Sequence, residues 1–352
     1  MKPFDYVRPA TVQEAVAAAS EPGAVYLAGG TNLLDLMKGG VTAPRVIVDI
    51  GHLAGLDRIE RLADGSVRIG ALVRNADLAR DRDFVRQFPA IAEALLSGAT
   101  AQLRNAATVG GNILQRTRCA YFYDIASACN KREPGSGCDA RGGDNRHHAV
   151  MGWSDSCIAT NPSDFCVPLV AFDAVIEAEG PAGKRDIAIA TFHRLPGDAP
   201  DRENLLETGE MIVAVRLPAH AALFASHSRY LKVRERTSYA FAVVSAAAGL
   251  DIDGGTISDA RVALGGVAMK PWRANEAEQV LRNARAGAAI FRDAADAAVA
   301  AARSSGDNAF KIELARRMIV RALTLAAAGA PERPPALPAS PFAVTAGTAI
   351  HV

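Results

Sequence analysis

The sequence predicts an α+β protein built from more than one lobe, and three observations lead there. Short apolar strands alternate with helical runs through the first part of the chain. Near residue 226 the pattern changes to meandering strands, and two or three helices follow. At 352 residues the chain is longer than one ordinary domain, so two or three lobes are expected. A composition of 49% hydrophobic and 22% charged residues lets each lobe bury a core.

Taken in order, Thr11 and Glu14 form a T-x-x-E capping box that starts a short helix through Ala15, Ala18 and Ala19. Val25-Tyr26-Leu27 reads as a strand. It runs into Ala28-Gly29-Gly30-Thr31-Asn32 and then the helical pattern Leu33, Leu34, Leu36, Met37. Further strands are expected over 46–50 and 67–70, with a subdomain split near 55–60 and helices over 74–80 and 84–96. Thr108-Val109-Gly110-Gly111-Asn112 is a second Gly-rich turn. From about 116 to 150, within a cysteine-rich insertion of about 116–157, the chain loses periodicity, and a loop of that length inside a domain carries function or is disordered. Asn161-Pro162-Ser163-Asp164 signals a helix start ahead of Leu169 and Val170. A hairpin over 175–189 and a strand over 211–215 complete a first domain of residues 1–220.

The second domain, 226–329, opens on a three-stranded sheet over 230–233, 240–250 and 257–264, with a turn at Asp253-Gly254-Gly255. Helices follow over 275–285, 290–303 and 309–328. The Pro/Ala-rich stretch 330–352 reads as an extended tail. The net charge of +1 gives no reason to expect nucleic acid or an anionic membrane as partner. No apolar run approaches the roughly 20 residues of a membrane span, and the N-terminus lacks the apolar core of a signal peptide. Synthesis in the cytoplasm is therefore expected, and a periplasmic destination would need co-export with a signal-bearing partner.

The two Gly-Gly turns are the first candidate chemistry. Glycines between a strand and a helix let successive N–H groups face one anion, with the helix dipole behind them. Neither turn has the G-x-G-x-x-G or G-x-x-x-x-G-K-[ST] spacing, so Rossmann and NTPase readings fail. One such turn is ordinarily a plain tight turn; two point to a shared extended ligand. No nucleophile–base motif stands out, which suits a protein whose cofactors do the redox work.

The five cysteines, Cys119, Cys129, Cys138, Cys157 and Cys166, fall in one stretch with spacing C-x9-C-x8-C-x18-C-x8-C. That odd, clustered set favours metal over disulfides, yet it matches no zinc ribbon, thioredoxin or ferredoxin motif. Four thiolates on a Gly-containing loop can still wrap a cubane, and Lys131, Arg132 and Arg141 would offset its charge. Cys166, at helical spacing from Leu169 and Val170, reads as a core residue. His147 and His148 read as solvated loop histidines rather than ligands.

The segments 26–34, 107–113 and Pro162-Ser163-Asp164, in this order and at these separations, closely resemble the FAD-binding subunit of the xanthine dehydrogenase and aldehyde oxidoreductase family over roughly residues 1–330. The resemblance implies a vanillyl-alcohol-oxidase-type FAD domain. Tyr26, Leu27, Ala28, Gly29, Gly30, Thr31, Asn32, Leu33 and Leu34 would hold the pyrophosphate. Thr108, Gly111 and Asn112 would line the phosphate, ribityl and flavin region, and Asp164 would hydrogen-bond the cofactor. Lys232 matches a position that approaches the flavin, with a solvated strand lysine as the alternative.

Within that family, Arg118-Cys119-Ala120-Tyr121-Phe122, Cys129-Asn130-Lys131-Arg132 and Gly135-Ser136-Gly137-Cys138 resemble the insertion of periplasmic aldehyde oxidoreductases. They imply a [4Fe-4S] cluster on Cys119, Cys129, Cys138 and Cys157, with Cys166 the alternative to Cys157. The implied partners are a molybdopterin-binding large subunit, a small subunit with [2Fe-2S] clusters, and an external ferredoxin-like or quinone-linked electron acceptor. The competing expectations are a stand-alone FAD oxidase of the vanillyl-alcohol type, the FAD subunit of an NAD-linked xanthine dehydrogenase, and a zinc-stabilised interaction module.

Overall fold

The structure is a computed structural model and describes residues 1–331, so the expected tail lies almost wholly outside the described residues. The Thr11 hydroxyl accepts the Glu14 N–H at 3.1 Å, and Glu14 reaches back to the Ala10 N–H at 2.8 Å. The capping box thus closes one residue upstream of its usual partner, at the head of the helix Val12–Ala19. That helix covers a parallel sheet of β1 (Asp5–Val7), β2 (Ala24–Leu27) and β3 (Val46–Asp49) in the order β1-β3-β2. Val48, Ile50 and Leu53 pack with Ala15 and Ala19 beneath it.

A second, antiparallel sheet orders β4 (Ile59–Arg61), β5 (Val67–Gly70), β8 (Met211–Leu217), β6 (Val175–Gly180) and β7 (Gly183–Ala188) as β4-β5-β8-β6-β7. Central β8 is buried on both faces. Met211 and Val213 reach the first core, while Ile212 and Val215 reach the second, so one strand ties the two together. The helix expected over 84–96 is two helices, Arg82–Gln87 and Pro89–Ser97. Phe88 leaves the helical region (φ −135°, ψ 62°) because the ring of Pro89 crowds the residue before it. An unexpected helix, Ala101–Ala106, starts at Thr100, whose hydroxyl accepts the Leu103 N–H.

The third sheet has four strands rather than three: β9 (Ser228–Val233), β10 (Val244–Asp253), β11 (Thr256–Gly265) and the short edge strand β12 (Trp272–Arg273), in the order β12-β11-β10-β9. The β10–β11 turn is Gly254-Gly255, both with positive φ (55° and 84°), the backbone a tight two-residue hairpin requires. Three helices, Asn275–Leu281, Ala288–Val299 and Phe310–Ala327, close this core.

The stretch from 116 to 157 has little regular structure yet is tightly bonded. Arg132 donates to the carbonyls of Tyr121, Phe122 and Ser127, and the Asn130 side chain accepts the N–H groups of Gly135 and Gly137. Its far end is fastened by the last helix. The fully buried Lys311 ammonium donates to the carbonyls of His147 (3.0 Å), His148 (2.8 Å) and Gly266 (2.6 Å). Lys311→Met removes the donor from three carbonyls. It is expected to cost about 3 kcal/mol, read as a lower urea midpoint at unchanged slope.

Candidate functional site

The Ala28–Asn32 turn and the 108–112 turn meet at the head of one large cleft. At Gly29 a Cβ would stand 2.1 Å from the Ala106 carbonyl oxygen, so only glycine lets the turns approach this closely. Gly30 follows with φ +71°, and the chain enters the helix Leu33–Lys38. Thr108 is buried, and its hydroxyl accepts the Gly111 N–H at 3.2 Å to cap the helix Val109–Ile113.

The cleft holds about 850 Å³ and draws its walls from both domains, including the first glycine turn, the 94–121 and 160–165 segments, and 232–245 with Gly265 and Gly266. Of the residues expected to bind a flavin, Thr31, Asn32, Gly111, Asn112, Asp164 and Lys232 line it. Tyr26, Leu27, Ala28, Gly29, Gly30, Leu33, Leu34 and Thr108 do not line it and instead shape the turns behind it. Tyr26, for example, donates its hydroxyl to the Gly209 carbonyl at 2.7 Å. Two buried polar atoms of the wall, Asn32 Nδ2 and Asn75 Oδ1, have no hydrogen-bond partner within the protein. Buried polar groups are ordinarily paired, so this wall is built to be completed by a polar ligand.

Asp164 sits at the inner end. Its carboxylate accepts the Lys232 ammonium at 2.7 Å and the Tyr230 hydroxyl, and Lys232 also donates to the Ser97 carbonyl at 3.1 Å. Lys232 is therefore a buried, paired cation rather than a solvated strand lysine; its side chain is 3% exposed. Asn112 Oδ1 accepts from Gln115 and from Ser163 (2.9 Å), which ties the second turn to the 161–164 segment.

Below the cleft, Cys119, Cys129, Cys138 and Cys157 border one small cavity of about 10 Å³, and Cys119 lines the cleft as well. Cys166 lies elsewhere, fully buried among Phe165, Leu169 and Val170. Burial pushes the Cys119 thiol up to about 12, with the charges of Cys129 and Cys157 adding to the effect. Burial likewise raises Cys157 to about 11, against the pull of Lys131. At neutral pH these two thiols therefore stay protonated unless a cation joins them. Among the described residues, no three His, Cys, Asp or Glu side chains stand close enough to hold a single metal ion.

The expected charge compensation is reduced. Lys131 is buried and paired with Glu203 at 2.9 Å, Arg132 is bonded to carbonyls, and Arg141 pairs with Asp155 at the surface. Lys131 and Arg116 hold the Glu203 carboxyl below its usual range despite its burial. His148 also departs from expectation. His147 is exposed beside Glu235, but His148 is buried with Nε2 3.1 Å from the Cys119 sulfur. Burial lowers its pKa to about 4, which keeps the ring neutral.

Residues 2–220 match the family model for the FAD binding domain in molybdopterin dehydrogenase, and 229–326 match the CO dehydrogenase flavoprotein C-terminal domain. The chain belongs to this family of FAD-binding subunits. It is 49% identical to the aldehyde oxidoreductase FAD-binding subunit PaoB of Escherichia coli K12, over 94% of this chain and 100% of that one. Against the putative xanthine dehydrogenase FAD-binding subunit XdhB of the same organism the identity is 31%, over 79% of each chain. Among solved structures, carbon monoxide dehydrogenase from Hydrogenophaga pseudoflava aligns at TM-score 0.73 and 29% identity, covering 93% of this chain and 99% of that chain.

Several cleft residues of this FAD-binding subunit have no signal in the sequence. Asn75 lies in Arg74-Asn75-Ala76-Asp77, where nothing marks it out from its charged neighbours. Arg104 braces the loop before it through the Leu96 and Gly98 carbonyls, and Ala99 adopts φ 53° at the cleft edge. Asp164→Ala would leave the Lys232 ammonium buried without its counter-ion, at an expected cost of about 3–5 kcal/mol. The double change Asp164→Asn with Lys232→Met should restore most of that loss, and urea unfolding of the two variants is the measurement.

Proposed function

We propose that this chain is the electron-relaying subunit of a molybdenum-dependent aldehyde oxidoreductase, carrying FAD in the large cleft and a [4Fe-4S] cluster on Cys119, Cys129, Cys138 and Cys157. The observation that carries the reading is that one thiol, Cys119, borders both the cleft and the four-thiol cavity. The cleft residues fit an extended, multiply charged ligand. Thr31 and Asn32 of the first glycine turn line the cleft, the N–H groups of the second turn being spent on the protein's own oxygens, and the unpartnered Asn32 and Asn75 amides belong to residues of the same wall. The donor set below fits a cluster: four soft sulfur ligands in a pocket that also contains Phe122 and Ala140. We read the flavin fold as the vanillyl-alcohol-oxidase type.

Bound there, the cofactors supply one- and two-electron chemistry; the protein supplies position and environment. Thr31, Asn32 and the Gly111 turn would hold the phosphates, and Asn112 and Asp164 would face the ribityl and flavin end. Lys232, fixed by Asp164, would set an ammonium donor beside that end, its charge balanced by the Asp164 carboxylate. Phe122 and the loop bonds of Arg132 hold the wall of the thiol cavity in place.

The electron source in this reading is a small [2Fe-2S] subunit beside a molybdopterin-binding large subunit, and the sink is an external ferredoxin-like or quinone-linked acceptor. An aldehyde as the complex's substrate follows the 49% identical relative in preference to the xanthine-dehydrogenase relative at 31%. Purified protein should contain one FAD and about four irons with acid-labile sulfide per chain. Serine in place of Cys119, Cys129, Cys138 or Cys157 should each remove the iron, whereas Cys166→Ser should keep it. Zinc in place of iron in the unaltered protein would sink the cluster assignment.

A further inference from the structure

His148 is held as a fixed donor at the wall between the flavin cleft and the four-thiol cavity. Its Nε2 lies 3.1 Å from Cys119 Sγ, and its Nδ1 is buried with no partner. These two facts choose the tautomer. A proton on Nδ1 would leave a buried N–H unbonded and, once Cys119 is a thiolate ligand, would turn the Nε2 lone pair toward the sulfur lone pairs. A proton on Nε2 makes an N–H···S hydrogen bond and leaves only an unmet acceptor, the smaller cost.

The ring has little freedom to leave this geometry. The backbone on which it sits is clamped from the C-terminal domain: its carbonyl accepts Asn308 Nδ2 at 3.1 Å and Lys311 Nζ at 2.8 Å, and both of those residues are 0% exposed. Its own N–H donates to the Asn145 carbonyl at 2.9 Å, and the ring packs against that of Tyr121 with centroids 6.3 Å apart. Among the described residues, no other side chain donates to any of the four sulfurs. Cys157 receives the Ala159 backbone N–H instead.

We infer that His148 is a positioning residue that sets the reduction potential of the cluster through an Nε2–H bond to the Cys119 sulfur, at the corner facing the flavin. This rests on the [4Fe-4S] reading above. Hydrogen bonds to ligand sulfurs stabilise the more negative, reduced state, and so raise the potential. The donor touches the one ligand that also borders the cleft, so its effect falls where the cluster and the flavin face each other.

The test uses the purified holoprotein with FAD, iron and sulfide counted first. In His148→Leu with its iron intact, the cluster should hold its electron about tenfold less tightly, a fall of about 59 mV for a one-electron couple, read by potentiometric titration of the reduced-cluster electron paramagnetic resonance signal. His148→Gln, which keeps an N–H donor, should recover most of that fall. An unchanged potential in His148→Leu overturns the inference. Should the leucine variant lose its iron, the unaltered protein labelled with ¹⁵N-histidine decides. A weak nitrogen coupling to the reduced cluster supports the hydrogen bond, while no coupling, or the strong coupling of a direct ligand, overturns it. Unaltered protein with FAD but no iron would instead remove the cluster reading itself, and this proposal with it.

Discussion

Two buried carboxylates, Glu93 and Asp164, fasten β9 to the flavin domain, and the cleft exists because they do. Glu93 accepts Arg229 at 2.9 Å and the Tyr230 N–H at 2.6 Å, while Asp164 takes the Tyr230 hydroxyl and the Lys232 ammonium. Burial pushes the Glu93 carboxyl up, and the Arg229 cation and Tyr230 N–H oppose it. Such pairs add little net stability compared with an apolar seam, since desolvating the charges offsets most of the attraction. Their effect is registry. A one-residue slip of β9 would bring Leu231 or Val233 to Asp164 and turn the strand's apolar side outward.

Much of the scaffold could be read from local chemistry. The Thr11–Glu14 cap, the Gly254-Gly255 hairpin and the apolar spacing of the last helix depend on near neighbours, and each forms where its residues ask for it. What escaped was set by few residues or by distant ones. Pro89 breaks a helix whose apolar periodicity runs straight through it, and β12 is two residues whose strand partner is β11 and whose Arg273 is fixed by the distant Val170 and Asp173. The Ala101–Ala106 helix follows Ala99 in a left-handed conformation that no local signal announces.

The site divides the same way. The Gly-Gly turns could be recognised because close backbone approach demands glycine. The fate of neighbouring histidines could not: His147 is exposed and His148 buried because Lys311 and Asn308, far along the chain, pin the carbonyls between them. Likewise the spacing of five cysteines left Cys157 and Cys166 as rivals. The fold separates them, placing Cys166 in the core of the flavin domain and Cys157 at the thiol cavity.

The Lys311 clamp also imposes a sequence in time. A nascent chain folds from its N-terminus, yet the ammonium that secures residues 147 and 148 lies on the last described helix. The glycine turns and both sheets of the flavin domain can assemble while the chain is still being made. Residues 147 and 148 cannot be clamped until Lys311 has been made, so this end of the cysteine segment is secured after the glycine turns and both sheets can form.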